Sequence, residues 1–550
     1  MGTAMEDEKA RVRAEVFTDL AGIVLAPTVS ALADRGVLRL FDQASEWVAF
    51  DEIKNHARAN GGYLRVALRL LVSCGWMKQR RDTDGCVQCY GLTQEGKIAA
   101  ALAPPLYSEV TSFIPKALFL SDCLSETSDA SVLPSLEELA GKTKQRWGIG
   151  ASDDDLVAKK VQEQIRGHLE GLIIGPAMVA LSRGGVLAQL LEAPVRVDAI
   201  PGHPAALRCL FEFLAMRGWA VLDGDSVRLT SRGRYAAQIA SSYGVTVSYL
   251  PTMNSLSVLL FGNARTPRLD ESGVELLVDR AMNVWGSGGA HKTYFRKVDE
   301  IILDIFNRPL NVQPRGICDM GCGDGTFLEH LYSVIKNSTS RGAALDTHPL
   351  ILVGADFNKV ARRVTKQTLQ RAAIPTFHVV NGDINRPAQL ASDFEKLDLD
   401  VHEFFHVRSF LDHNRPYSAP ANYVPGTRKA RSTGVFAHLG QEIPADELEE
   451  NLVRHLRRWA PYTGRFGLLV LELHTLPPEL AAGHLEKTPV VAYDGTHGYS
   501  DQYLVEVPVF LECAREAGLK ADSRYQGTFP PSELATVSIN LFTAPGPQDH

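Results

Sequence analysis

The spacing of apolar and polar positions changes near residue 280. Before that point the apolar residues recur mainly at helical intervals, and one pattern occurs twice. GIVLAPTVSALADRGVL (22–38) matches GLIIGPAMVALSRGGVL (171–187), with Gly, Pro, the apolar positions and the closing Gly-Val-Leu in register. Downstream, Trp76 in SCGWMKQR matches Trp219 in MRGWAVLD, and YGLTQEGKIAA (90–100) matches VRLTSRGRYAA (227–237). Each copy predicts a helix, a short helix, a helix ending at Gly-Trp, and a strand pair closing on Leu-Thr-x-x-Gly. That is the order of a winged helix. The candidate recognition helices are YLRVALRLLVS and AALRCLFEFLA, and the second is apolar nearly all round, as a buried helix is. A packing, dimerising or lid role is therefore expected in preference to DNA binding. The stretch between the copies, with SETSDASVLPS and GASDDDLVAKK, reads as helix-poor and acidic, a solvated connector or insertion.

From 280 onward the apolar runs GICDM, LILVGAD, TFHVVNGD, LDVHEFFHV and GLLVLELH alternate with helical segments. This predicts an α/β doubly wound parallel sheet. LKADSRYQGTF and ATVSINLFTA then predict an antiparallel edge pair. The expected organisation is a first winged-helix-like repeat over 1–105, a connector over 106–160, a second repeat with lid helices over 161–280, and an α/β core over 281–545.

Composition narrows the function classes. A chain of 550 residues with 45% hydrophobic and 22% charged positions exceeds what one core holds, roughly 250–300 residues. A net charge of −7 argues against a protein that grips nucleic acid through its overall field. MGTAMEDEKARVRAEVF is polar and lacks the apolar centre of a signal peptide, and no run of 18 apolar residues suggests a membrane span, so a cytoplasmic protein is expected. Eight cysteines fit a reducing compartment, and the lone Cys86-x-x-Cys89 lacks the further ligands of a zinc site.

The chemistry begins at GICDMGCGDGTFLEHLY (316–332), where a strand meets a glycine-rich turn and a helix. A dinucleotide fingerprint would read GxGxxG, and a phosphate loop would carry GK[ST]; neither is present. Asp319 at the strand end would repel a pyrophosphate and suits a cationic amino group, such as the methionine end of S-adenosylmethionine. Asp356 ends the next strand, where a carboxylate accepts from ribose hydroxyls. Asp383 and Ile384 end the third, where an adenine can be read. The fourth strand leads into EFFHVRSFLDHNRPY (403–417), dense in His406, Arg408, Asp412, His413 and Arg415. FAHLGQEIP, LLVLELHTL and YDGTHGYSDQYLVE add His438, Gln441, Glu472, His474, His497, Asp501 and Gln502. Such a His/Asp/Gln set suits a divalent first-row metal with open positions.

Three strand-end aspartates over 280–550 resemble class I S-adenosylmethionine-dependent methyltransferases, a Rossmann-like core. WGSGGAHKTYF, DMGCGDGTF, HVRSFLDHNRPY, AHLGQE and DGTHGYSDQ further resemble the metal-dependent C-methyltransferase domains of polyketide synthase loading modules of the apratoxin and saxitoxin type. This resemblance covers nearly the whole chain. It implies methylation of the α-carbon of a malonyl or methylmalonyl group on an acyl carrier protein, using S-adenosylmethionine and Fe(II) or Mn(II), alongside other polyketide synthase domains and without nucleic acid or membrane. It implies a cofactor set of Tyr294, Gly289, Asp319, Gly321, Gly323, Phe327, Asp356, Phe357, Asp383, Ile384 and His406, with Tyr294 and its preceding glycines closing over the methionine end. His413 and Gln441 are the expected metal ligands, with Asp412 either a third ligand or the orienting partner of an imidazole.

Chemically, a carbon nucleophile needs an α-proton removed and an enolate stabilised, which a metal does as a Lewis acid. His413, His497, Arg408 and Glu472 are the expected catalytic residues. His406 fits packing and cofactor contact equally, and Arg408 and Arg415 fit either a substrate carboxylate or internal ion pairs. His497, between Gly495 and Gly498, is expected in a loop that approaches substrate. Two rival readings remain: a metal-independent small-molecule O-methyltransferase with a winged-helix dimerisation domain, and a winged-helix regulator with a ligand-sensing core.

Overall fold

The structure is a computed structural model that describes residues 2–544, apart from 44–45, 83–85, 126–129, 151–154, 272–274 and 425. The chain forms two compact units. The first comprises 1–290, 437–442 and 477–501; the second comprises 291–436, 443–476 and 502–550.

In the first unit each repeat contains the predicted series, and the first copy adds the helix Phe50–Ala57. The first copy runs through helices Gly2–Asp34, Val37–Gln43, Phe50–Ala57 and Gly61–Ser73 to the hairpin Met77–Arg81 and Val87–Leu92. The second runs through Leu156–Arg183, Val186–Glu192 and Pro204–Met216 to the hairpin Ala220–Asp223 and Ser226–Leu229. A short strand, Val48–Ala49 or Val195–Arg196, completes a three-stranded sheet in each. The Leu-Thr-x-x-Gly signature has a physical cause. Thr93 and Thr230 cap the following helices by accepting from the N–H of Gly96 (2.9 Å) and Gly233 (3.1 Å). Their hydroxyls donate back to the carbonyls of Gly75 and Gly218, both at 2.7 Å. Any Cβ at Gly96 or Gly233 would collide with the carbonyl oxygen of Trp76 or Trp219.

The Met5–Asp34 helix is long and apolar enough to cross a membrane, which the run-counting expectation missed. Its apolar length is accounted for by burial: Val16, Leu20, Ile23, Val24 and Leu25 are all enclosed within the unit.

Two sequence expectations need correction here. The stretch between the repeats is not helix-poor: Gln94–Thr111 and Leu133–Lys144 are helices. In the latter, Leu136, Leu139 and Ala140 form a buried stripe at i, i+3, i+4, which the flanking acidic residues obscured. Parts of the acidic stretches, 126–129 and 151–154, lie outside the described residues. His497 is not in a loop but in the helix Val490–Tyr499. Its neighbours Gly495 and Gly498 are there for closeness, since a Cβ would press on Val24 at 3.0 Å and on Val66 at 2.8 Å.

The 437–442 and 477–501 segments are held by the Gly61–Ser73 helix. Gly62 N–H donates to Gly440 O (3.0 Å), Arg69 Nε to Asp494 Oδ2 (2.8 Å), and Tyr63 O–H to Asp501 Oδ1 (2.6 Å). The face that would read a DNA groove is thus occupied by the chain itself.

The second unit contains the core sheet, with strands β1 (Gly316–Met320), β2 (Ile351–Asp356), β3 (Phe377–Asn381), β4 (Phe404–Ser409), β5 (Leu468–Leu473), β6 (Lys520–Ala521), β7 (Gly527–Phe529) and β8 (Val537–Thr543). Their order is β6-β8-β5-β4-β1-β2-β3, with β7 also paired to β8. β3, β2, β1, β4 and β5 are parallel, and β8 is antiparallel to β5. The direction of winding reverses between β1 and β4, the position at which open α/β sheets bind ligands. The C-terminal region departs from a simple edge pair: β8 is interior, between β5 and β6, and is buried along nearly its whole length.

Glycine substitutions test this packing in opposite directions. Gly96→Ala and Gly233→Ala are each expected to cost about 3 kcal/mol, the upper end of overpacking effects. Gly141→Ala, in a helix with open space around the new methyl, is expected to stabilise by about 0.5–1 kcal/mol. Thermal and denaturant unfolding of the three variants measures both signs.

Candidate active site

The turn after β1 is shaped by backbone that only glycine adopts readily: Gly321, Gly323 and Gly325 have φ of 83°, 55° and 82°. Gly321 N–H donates to Ala355 O (2.7 Å), tying the turn to β2. Gly323 has open space where a side chain would project, and its N–H donates to Asp356 Oδ2 (3.1 Å). Asp319 is buried, and its Oδ1 has no hydrogen-bond partner among the described residues. Burial, reinforced by the nearby Asp356 and Asp324 charges, pushes its carboxyl up to about 8. An enclosed carboxylate oxygen without a donor fits the cationic ammonium of S-adenosylmethionine.

Around this turn, Asp356 Oδ1 accepts from Asn358 N–H (2.7 Å). Phe357 is 76% exposed, so its ring face is available. Asp383 Oδ1 accepts from Asn385 N–H (2.9 Å), and the Ile384 carbonyl accepts from Trp459 Nε1 (2.7 Å). Tyr294 packs edge-on against Phe410 and Phe529, with ring centroids 6.1 and 5.0 Å away. Gly289 lies outside the residues whose surroundings are described. Phe327 is buried and stacks on Phe295. His406 accepts a packing role: its Nε2 donates to Val401 O (3.0 Å), its ring meets Trp459, and burial lowers it to about 4.

Beyond β4 the charged residues sort into two buried groups. In one, Arg408 lies over the Trp459 ring at 4.0 Å, and its Nη1 donates to Asp412 Oδ1 (2.7 Å). His455 Nε2 donates to the same oxygen (2.8 Å), and Arg415 Nη1 donates to the Asp412 carbonyl (2.9 Å). Burial alone would raise the Asp412 carboxyl, but Arg408 and His455 hold it well below its ordinary range. Burial lowers His455 to about 4, so it is a neutral donor. Arg415 Nε donates to Asn451 Oδ1 (2.8 Å).

The second group is His413 with Glu472. Glu472 Oε2 accepts from His413 N–H (3.1 Å), Oε1 accepts from Leu473 N–H (2.7 Å), and Oε1 also meets His413 Nδ1. The His413 carbonyl accepts from Tyr503 N–H (2.8 Å). With Nδ1–H directed at the carboxylate, the imidazole lone pair resides on Nε2. His474 is separate: neutral, lowered to about 4 by burial, and hydrogen-bonded to Val505 O and Ser538 Oγ.

The structure therefore brings Arg408 to Asp412 and His413 to Glu472. Gln441 is exposed in the first unit, on the ribbon formed by Phe436–His438 and Gln441–Ile443, and His497 is buried there with its Nδ1 donating to Tyr493 O (2.9 Å). His413 fits a divalent metal by donor type and tautomer. Asp412 Oδ1 serves both Arg408 and His455, while its Oδ2 is buried without a hydrogen-bond partner among the described residues. No group of three or more His, Cys, Asp or Glu suited to a metal is found among the described residues. His455 and Trp459 were missed from sequence. Their signal was the i, i+4 row Asn451, His455, Trp459 on the buried face of the Ala445–Thr463 helix.

Comparison with known proteins places the chain in a family. Residues 275–540 match a family model described as the AprA MT2-like domain, 12–79 the AprA N-terminal domain, and 170–263 the AprA winged helix domain. The 2-ketoarginine methyltransferase of Streptomyces arginensis is 26% identical over 188 residues, covering 33% of this chain and 50% of that protein. The chain thus spans about half the length of the curated relative it matches. Among solved structures, human N-acetylserotonin methyltransferase in complex with SAM is 12% identical, covering 72% of this chain and all of that one, with a TM-score of 0.41. An O-methyltransferase family protein from Burkholderia thailandensis is 13% identical, covering 68% and 95%, with a TM-score of 0.37. With three AprA domain models matched in order along one chain, the protein belongs to the AprA-type methyltransferases.

Proposed function

We propose that the chain transfers a methyl group from S-adenosylmethionine to an enolisable carbon, the α-carbon of a malonyl or methylmalonyl group on an acyl carrier protein of polyketide biosynthesis. The observation that carries this reading is the His413–Glu472 pair beside the β1/β4 reversal, a base held in one tautomer by a buried carboxylate. A fixed base serves deprotonation of an oxygen or a carbon acid, and the choice of carbon as acceptor follows the AprA-type domain match. A carbon acid needs a fixed base and a site that excludes water.

The cofactor supplies the electrophilic methyl group. Asp319 holds its ammonium, Asp356 its ribose hydroxyls, and the 321–325 turn admits the backbone close approach. His413 Nε2 takes the proton from the acceptor carbon, and Glu472 stabilises the imidazolium so formed. The electron pair left on carbon forms the new C–C bond as the sulfur–methyl bond breaks. Arg408, Arg415 and His455 anchor the 412–414 turn through Asp412, which keeps the imidazole aimed. In the metal-dependent alternative, a divalent iron or manganese ion would occupy the His413 Nε2 lone pair and supply Lewis-acid polarisation of the acceptor carbonyl, and the proton would pass to another base.

The Streptomyces arginensis relative supports a second acceptor of the same chemistry, a free 2-keto acid, whose β-carbon is also enolisable. The experiment is incubation with S-adenosylmethionine and either malonyl-loaded carrier protein or a 2-keto acid, followed by intact mass and fragmentation. A gain of one methylene on carbon supports the proposal; methylation only at oxygen overturns it. Turnover in the presence of a strong chelator would remove the metal from the scheme. His413→Ala is expected to lower turnover by roughly 10²–10⁴-fold. Glu472→Gln is expected to lower it by about 10–100-fold. Both should leave the cofactor dissociation constant unchanged in calorimetry.

Asp319 makes a pH prediction. In an unfolded chain its carboxyl titrates near 3.9, whereas burial holds it near 8 in the fold. Between these values the folded state retains a proton the unfolded state has lost, so this group reduces stability as pH rises through the window. Binding of the cofactor ammonium favours the ionised form and must expel that proton. Calorimetry at pH 7 in buffers of different ionisation enthalpy is expected to show close to one proton released on binding. Asp319→Asn should remove this release and weaken binding at least about tenfold, near 1.4 kcal/mol.

A further inference from the structure

The two winged-helix copies are paired crosswise. Carrying the register of the repeat back along the long helices makes Glu15 equivalent to Gln164, Thr18 to Gly167, Asp19 to His168 and Gly22 to Gly171. Trp76 of the first copy donates its indole N–H to Gln164 on the second copy's long helix (2.9 Å). Trp219 of the second copy donates to Glu15 on the first copy's long helix (3.1 Å). Tyr107, following the first hairpin, pairs with His168 (2.6 Å), and Tyr243, following the second, donates to Asp19 (2.6 Å). The helix crossing obeys the same exchange: a Cβ on Gly22 would overlap the His168 backbone, and a Cβ on Gly171 would overlap the Asp19 backbone. Residue i of one copy touches j of the other, and i of the other touches j of the first. That reciprocity is the mark of a two-fold, self-complementary interface.

The copies differ in what they hold. Tyr63, Arg65 and Arg69 on the Gly61–Ser73 helix meet Asp501, Glu442 and Asp494 from the inserted segments. Aligned on Trp76 and Trp219, the corresponding positions of Pro204–Met216 are Ala206, Arg208 and Glu212. Arg208 turns to Asp225 (3.1 Å), and Glu212 pairs with Lys144 (2.8 Å), at the end of the connector helix Leu133–Lys144. A symmetric dimer would grip two such sets of segments; this unit grips one.

We propose that the first unit is a fused dimer, in which two winged helices pair within one chain across the surface that two separate chains would share. The long-helix face is closed to a second molecule, and the second copy serves as the built-in partner of the first.

Thr18 and Gly167 test this directly. A Cβ on Gly167 would lie 3.6 Å from the Thr18 Cβ, within the disulfide range of about 3.5–4.5 Å. Oxidised Thr18→Cys/Gly167→Cys full-length protein is expected to form an intrachain bridge, run as a monomer without reductant, and yield a linked 18–167 peptide pair. Disulfide-linked dimers would mean that the helices exchange between chains, and absence of the bridge would mean that they do not meet; either overturns the proposal. A wild-type control needs no substitution. Two differently tagged full-length chains, unfolded together and refolded, should not co-purify, and the mass by light scattering should be that of one 60.2 kDa chain. Mixed-tag species linked through the 18–167 region, located by crosslinking, would overturn it.

Discussion

Three carboxylates are buried near the carboxyl end of the core sheet, and a buried charge must be answered by donors or cations. Asp412 is answered by Arg408 and His455, and Glu472 by His413 and two backbone N–H groups. Asp319 has one oxygen with no hydrogen-bond partner among the described residues, and burial with the nearby Asp356 and Asp324 charges raises its proton affinity. The sheet order makes this arrangement possible, because β5, β4 and β1 are neighbours. Two carboxylates fix the apparatus in place, and the third is left for a cationic ligand. The division of labour follows from charge rather than from any one motif: Asp412 Oδ2 also lacks a hydrogen-bond partner among the described residues, but Arg408 stands against that carboxylate, whereas the charges nearest Asp319 are those of Asp356 and Asp324.

Much of the fold was legible because its signals are local. The Leu-Thr-x-x-Gly signature encodes a cap and a close approach within four residues, and the alternating runs after 280 encode the parallel strands. Misreadings arose where a residue's reason lay far away in sequence. Gly495 and Gly498 suggest a loop by propensity, yet they are helical because Val24 and Val66 leave no room for a side chain. The apolar stripe of Leu133–Lys144 was masked by charged neighbours outside it. In the C-terminal region, short runs announced strands but not that β8 would be interior, which depends on pairing with β5.

The site was legible in position more than in partnership. Strand ends located Asp319, Asp356 and Asp383, and the density of polar residues over 403–417 marked where a buried network would form. Composition could not say who pairs with whom. Glu472 reaches His413 because β5 lies beside β4, a matter of sheet order. Strand alternation sends His406 and Arg408 to the same face, toward Trp459. His455 escaped notice because a histidine on an amphipathic helix is unremarkable until its buried row, with Asn451 and Trp459, is seen to face polar partners.

The compact units do not follow the order of the sequence. Segments 437–442 and 477–501 lie within the stretch matched by the methyltransferase model, yet they pack into the first unit. They carry Gln441 and His497, and the Gly61–Ser73 helix holds them through the buried Arg69–Asp494 pair. Breaking such a pair leaves an uncompensated charge, at a cost of about 3–5 kcal/mol. A core cut from the chain near residue 275 would therefore lose the support of these segments. The winged helices act as the scaffold for part of the core's own sequence, which explains why a helix with the position of a DNA reader has been turned to gripping protein.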